Sequence, residues 1–168
     1  MKNLILIRHA KSSWDDAALS DLERPLNKRG KRDAPLMGRL LKQKGLLPDL
    51  ILASPAKRSR KTAIKIAGEV SYPKDKIATR KAIYLQGVPG LIELIGGLAD
   101  DHNRVFLIGH NPDLTDLANR LTGSNIANIP TCGLVSIEFS VASWREIHEG
   151  GGVLALFERP PKPAPATD

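Results

Sequence analysis

Three short apolar runs, each ending in polar and reactive side chains, constrain this chain more than any other feature. Leu4 to Ile7 (LILI) ends in Arg8-His9, Leu50 to Ala53 (LILA) ends in Ser54-Pro55, and Val105 to Ile108 (VFLI) ends in Gly109-His110-Asn111-Pro112. Unbroken rather than alternating hydrophobicity suits parallel strands covered on both faces. Helical patterns separate them: Ala63, Ile66, Ala67 and Val70 follow the second run, and Leu114, Leu117, Ala118 and Leu121 follow the third. Ser54 and Asn111 are expected N-caps, with Pro55 and Pro112 at the first helical positions. Gly123 suits the end of the later helix.

A further helix is expected over much of Lys28 to Lys44, with Ala34, Met37 and Leu41 on one face. Pro35 would either kink it or set a later start. A short strand is expected near Ala82 to Leu85, before a helix opened by Pro89. The run LVSIEFSV alternates as a half-exposed or edge strand would, and VLALF is a final strand candidate. These elements imply an α/β fold: a three-layer sandwich with a mostly parallel central sheet and helices on both faces. One domain is expected over 1–158. The proline-rich stretch 159–168 (RPPKPAPATD) is expected to be a disordered tail.

Composition narrows the function. With 168 residues, 42% of them hydrophobic, the chain can bury a full core. No run approaches the roughly 18 apolar residues of a membrane span. The N-terminus passes from Met1-Lys2 directly into a strand-like run, without signal-peptide features, so a cytoplasmic location is expected. Cys132 is the single cysteine, which rules out an internal disulfide; it reads as a small buried hydrophobe on a strand. The net charge of +7 points to an acidic or phosphorylated partner. The basic runs KRGKR and KRSRK, taken alone, are solvated helix faces. Nucleic acid is disfavoured, because only 4% of residues are aromatic and none interleave with the basic runs.

In parallel sheets, ligands bind outside the carboxyl ends of the strands. Arg8, His9, Ser54 and His110 all fall at such ends. A lone histidine or arginine there is ordinarily structural. Two histidines and two arginines at one edge are a concentration of positive charge that is costly to bury unpaired. A phosphate resolves it. Arginine offers planar bidentate donors, and the helices after Ser54 and Asn111 aim their positive ends at the same edge.

The segment LIRHAKSSW resembles the Arg-His-Gly signature of the histidine phosphatase superfamily, with Ala10 for the glycine. RPLNKRGKRDA resembles the family's Leu-Thr-x-x-Gly-x-x-Gln-Ala segment, with Asn27 for threonine and Asp33 for glutamine. SPAKRSRKTA carries Ser54, Arg58, Thr62 and Ala63 in the Ser-x-x-x-Arg-x-x-x-Thr-Ala pattern, and LIGHNP resembles the second-histidine motif. The likeness runs from about Leu4 to Gly123. The short length and the RHAKSSW…RPLNKRG style are most similar to the SixA-type phosphohistidine phosphatases. The resemblance implies a phosphoglycerate mutase-like fold. It implies His9 as the nucleophile that becomes phosphohistidine, and Arg8, Arg58 and His110 as the clamp on the phosphoryl oxygens. It places Ser12, Asp15 and Asn27 at the substrate. It implies no metal and no cofactor, since arginines and histidines supply the charge; no cluster of metal-ligand spacing appears. The implied partner is a phosphorylated protein such as a histidine phosphotransfer domain.

The departures are informative. Asp15 stands where many relatives have an asparagine that contacts phosphate. Relatives that hydrolyse alcohol monoesters carry a catalytic acid after the strand expected at Ala82 to Leu85, whereas this chain reads YLQGVPG, with Glu93 further on. A leaving alkoxide needs a proton donor; a leaving imidazole, of reference pKa about 6.5, does not to the same degree. Lacking a placed acid, the site favours a P–N bond. Asp15, Asp16 and Glu93 are the carboxylates that could overturn this. The competing readings are a phosphatase for a small phosphoester or sugar phosphate, a mutase, which needs a closed site, and a non-catalytic phosphate- or nucleic-acid-binding protein.

Overall fold

The structure, a computed structural model, describes residues 1–163. A six-stranded sheet runs through its middle: β1 (Lys2–Arg8), β2 (Leu50–Ala53), β3 (Ala78–Thr79), β4 (Arg104–Gly109), β5 (Leu134–Phe139) and β6 (Val153–Glu158). Their order is β3-β2-β4-β1-β5-β6. Strands β3, β2, β4 and β1 are mutually parallel, and β5 runs antiparallel to both β1 and β6. Among the described residues five α-helices flank the sheet: α1 (Lys28–Gln43), α2 (Lys57–Glu69), α3 (Ala82–Leu85), α4 (Gly87–Gly96) and α5 (Asp113–Thr122).

The unbroken apolar runs serve two faces, because successive side chains of a strand point to opposite sides. Ile5, Ile7, Ile51, Phe106 and Ile108 pack with Ala34 and Met37 of α1 and Ile66 of α2. Leu4, Leu6, Leu52, Val105 and Leu107 pack with Leu91 of α4 and Leu114 and Leu117 of α5. The result is the expected three-layer sandwich with a mostly parallel sheet.

Several local expectations are corrected. Ala82 to Leu85 is a single helical turn, not a strand; periodicity cannot separate the two in so short an apolar run. The strand beside β2 is Ala78–Thr79 instead. LVSIEFSV is not an edge strand, since β5 lies between β1 and β6. Its polar Ser136 is buried and accepts from Asn3 Nδ2 at 2.7 Å. Cys132 is buried, but in the turn before β5, at φ 59°. Helix α1 begins at Lys28, where Asn27 Oδ1 accepts from Gly30 N at 2.9 Å, so Pro35 does not set its start. Pro35 lies inside the helix, where it offers Lys31 O no N–H. Helices α2 and α5 start later than Pro55 and Pro112, at Lys57 and Asp113.

Gly123 ends α5 at φ 72°, as a C-cap glycine does. Of the expected tail, 164–168 lie outside the described residues; Arg159 to Pro163 have no regular structure and Pro160 is buried. Among the described residues no helix is long and apolar enough to cross a membrane.

Candidate active site

The chain leaves β1 under tight backbone control. Arg8 N donates to Gly133 O at 3.0 Å, and His9 N donates to Gly109 O at 3.0 Å. Cys132 N lies 3.0 Å from Arg8 O and 3.1 Å from His9 O. One residue further, Ala10 N donates to Thr62 Oγ1 at 3.0 Å, and that hydroxyl donates to Arg58 O at 2.7 Å. The threonine spaced four residues after Arg58 therefore ties the first turns of α2 to the strand that carries His9.

These anchors bring Arg8, His9, Arg58 and His110 to one cleft of about 360 Å³. The two imidazole rings are 5.1 Å apart, centroid to centroid. His9 Nδ1 lies 2.8 Å from Ala10 O. A carbonyl only accepts, so Nδ1 carries the proton and Nε2 keeps a free lone pair. Arg58 Nε donates to that Nε2 at 3.4 Å. Arg58 Nη2 also lies 3.4 Å from His110 Nδ1. A guanidinium only donates, so His110 is protonated on Nε2, which meets Ser54 Oγ at 2.7 Å. Ser54 Oγ accepts in turn from Ala56 N at 3.1 Å. Ser54 is thus a tautomer-fixing partner of His110 rather than a helix cap. Arg8 Nη1 donates to Ile129 O at 2.9 Å, while its buried Nε has no partner among the described residues. An unprotonated imidazole facing one guanidinium, with a second guanidinium lining the same cleft, is the arrangement an anion completes.

Burial pulls the His9 pKa down to about 3, helped by His110, Arg58 and Arg8 and opposed by the bond to Ala10 O. Burial, then Arg58, pulls His110 down to about 4. Both rings are neutral near pH 7. His9 Nε2 is therefore available as a nucleophile without a separate base to remove a proton.

Three residues that the sequence reading gave no role complete the arrangement. Asp21, in the 3-10 helix Asp21–Glu23, accepts from Arg58 Nη2 on Oδ2 at 3.0 Å, and its main-chain oxygen accepts from Arg58 Nη1 at 2.6 Å. Tyr84 of α3 donates to Asp21 Oδ2 at 2.6 Å. Arg24 lies 3.2 Å from Asp21 Oδ1, donates to Ser12 Oγ at 2.9 Å, and stacks its guanidinium 3.5 Å over the exposed Trp14 ring. Hydrogen bonding from Tyr84, then from Arg58, outweighs burial and holds the Asp21 pKa near 2. Arg24 stands in the quoted segment RPLNKRG and Tyr84 opens the quoted segment YLQGVPG; Asp21 lies in neither.

The remaining expected residues separate. Ser12 lines the cleft. Asp15 does not line it and is exposed, with its main-chain N on Ser13 Oγ at 3.1 Å. Asn27 does not line it either; its side chain caps α1, which explains its place in the motif. Neither Asp16 nor Glu93 lines the cleft. The expectation that no acid is placed at the site meets one carboxylate: Asp113, three residues after His110, lines the cleft. Burial, then the neighbouring Asp116, raises the Asp113 pKa. Among the described residues no group of three or more His, Cys, Asp or Glu could hold a metal ion.

The family model described as histidine phosphatase superfamily (branch 1) matches residues 4–82. An uncharacterized chloroplastic protein of Arabidopsis thaliana is 31% identical over 157 residues, covering 86% of this chain and 70% of that protein. The solved structure of a putative phosphohistidine phosphatase SixA from Agrobacterium tumefaciens superposes with a TM-score of 0.81 at 25% identity, covering 95% of this chain and 98% of the other. A structure of the protein histidine phosphatase SixA complexed with tungstate superposes with a TM-score of 0.78 at 20% identity, covering 92% and 95%.

Proposed function

The chain belongs to the histidine phosphatase superfamily, and from that membership we propose that it is a metal-independent phosphatase that removes phosphate from phosphohistidine on another protein. One observation carries the chemistry: the unprotonated His9 Nε2 faces Arg58 Nε at 3.4 Å, in a cleft that Arg8 and His110 also line. In the first step His9 Nε2 attacks phosphorus and forms a P–N bond while the P–N bond to the substrate imidazole breaks. That imidazole takes up a proton from solvent water as it leaves. In the second step water attacks phosphorus, the bond to His9 breaks and returns its electron pair to Nε2, and inorganic phosphate departs carrying the water's oxygen and protons. Arg8, Arg58 and His110 hold the equatorial oxygens, where charge concentrates in phosphoryl transfer. A substrate on a protein surface suits a cleft whose rim includes the exposed Trp14. The likeness to SixA structures supports the same reading.

Asp113 favours a second reading. A carboxyl group of raised pKa in the cleft is the kind of group that protonates an alkoxide, which would suit a small phosphoester or sugar phosphate. Measuring kcat/KM for a phosphohistidine protein, an aryl phosphate and an alkyl phosphate, in the wild type and in Asp113→Asn, separates the two. The expected result is a wild type that turns over the first two, with the alkyl substrate behind by roughly the 10²–10⁴-fold that acid catalysis contributes. The variant should match it. Efficient alkyl phosphate turnover that collapses in Asp113→Asn would install Asp113 as the acid and replace the phosphohistidine reading.

A further inference from the structure

Beside the cleft runs a groove lined by Pro25, Leu26, Lys31, Lys57, Lys61 and Lys65. It is contiguous with the site through the chain, because Pro25 follows Arg24 and Lys57 precedes Arg58. Three of its lysines lie at i, i+4 and i+8 of α2, and the fourth lies on α1. Among the described residues none of the four pairs with a carboxylate within 4.0 Å. Glu69, the one acidic residue of α2, is at its far end and pairs with Arg39 at 3.0 Å.

This distribution opposes what helix stability favours. Neither α1 nor α2 has an acidic residue in its first turn. Instead Lys28, Arg29, Lys31 and Arg32 open α1, and Lys57, Arg58, Arg60 and Lys61 open α2. Cations at a helix N-terminus oppose the macrodipole, and like charges four residues apart repel. Arg29 and Arg32 pair with Asp33, and Arg58 pairs with Asp21; the repulsion among the groove lysines is left for an anionic partner to relieve.

We propose that the groove docks an acidic helix of the protein substrate while the phosphorylated residue of that same protein enters the cleft. The proposal rests on the phosphoprotein reading above and adds how the partner is recognised. Spacing supports a helix: residues four apart on either helix are separated by about 6 Å along the axis, so carboxylates at i and i+4 match the lysine row. The floor of Pro25 and Leu26 with lysine stems supports a protein over a nucleic acid, since no aromatic side chain lines the groove to stack a base.

The test uses a fluorescein-labelled helical peptide with glutamate at every fourth position and no phosphate, titrated by anisotropy against the wild type and Lys61→Glu/Lys65→Glu. Binding should weaken with salt and fall at least about tenfold in the variant. Lys61→Ala/Lys65→Ala should weaken it in the same sense by less. Both variants should keep the wild-type kcat/KM for an aryl phosphate, which reports an intact cleft. For a four-helix phosphotransfer domain phosphorylated with phosphoramidate, KM should rise about tenfold in the charge-reversal variant with kcat held. Equal peptide binding by wild type and variants overturns the proposal, as does tighter binding of a single-stranded oligonucleotide than of the peptide. The peptide carries no phosphoryl group, so failure of phosphohistidine turnover removes the reading of the reaction without touching the docking measurement.

Discussion

Arg58 meets both histidines, and a single carboxylate on a short 3-10 helix holds it in place. Asp21 takes Nη2 on its carboxylate and Nη1 on its main-chain oxygen, leaving Nε for His9. Asp21 is therefore a positioning residue. Asp21→Asn keeps the main-chain contact and weakens the charged one. Misplacing a catalytic group by an ångström can cost about a hundredfold, so kcat for an aryl phosphate should fall ten- to a hundredfold. Asp21→Glu should recover part of it, and inhibition by orthophosphate should weaken. Tighter orthophosphate inhibition with kcat unchanged would show instead that Asp21 competes with phosphate for Arg58. His9→Ala should abolish turnover, and acid-free trapping of the wild type with labelled substrate should place phosphate on His9; an active variant removes the covalent mechanism. Arg8, His9 and His110 were legible in the sequence because they end or follow apolar strands, and Arg58 because its segment resembles a family motif. Asp21, Tyr84 and Asp113 were not. Their roles depend on where a 3-10 helix, a one-turn helix and a helix N-terminus come to rest in three dimensions, which no local pattern encodes.

At the scale of elements, α1 meets the loop after His9 without any intervening side chain. Asn27 N donates to Lys11 O at 3.0 Å, and Ser12 pairs with Leu26. A Cβ on Gly30 would sit 2.2 Å from Lys11 O. Gly30→Ala must therefore push α1 away from the main chain that carries His9. The expected cost is about 1–3 kcal/mol in urea unfolding, with a fall in kcat larger than that of a core variant of equal cost. Met37→Ala on the buried face of the same helix is the control: it should cost about 2–5 kcal/mol and leave kcat of the folded protein intact. If the two variants lose activity in proportion to stability alone, α1 does not position the loop. Long periodic elements such as α1 and α5 were legible because their apolar faces repeat. The four-residue α3 and the interior position of β5 were not. An apolar run of four fits helix or strand equally, and the buried Ser136 imitates the alternation of an exposed strand while meeting its hydrogen-bond need through Asn3.

For the whole molecule, burying the two histidines has a cost that depends on pH. Both histidines have folded-state pKa values below the ordinary 6.5, at about 3 for His9 and about 4 for His110. Above 6.5 both states hold the rings neutral and stability is complete. As pH falls below 6.5 the unfolded chain binds protons that the folded protein refuses. Stability is then lost down to about pH 4 for His110 and about pH 3 for His9. The slope is about 1.4 kcal/mol per pH unit for each ring, or about 2 kcal/mol each between pH 7 and pH 5. Asp21 acts lower, between 3.8 and about 2, so it does not contribute in this interval. Urea unfolding at pH 7 and pH 5 should show the drop at constant m-value, and His110→Gln should remove about half of it. Saturating orthophosphate should shrink it in the wild type, because a bound anion favours protonated imidazole and offsets the repulsion from Arg8 and Arg58. A wild-type midpoint that does not move between the two pH values would mean that water reaches both rings freely. The neutral His9 on which the proposed nucleophilic attack depends would then have to be maintained by something other than burial.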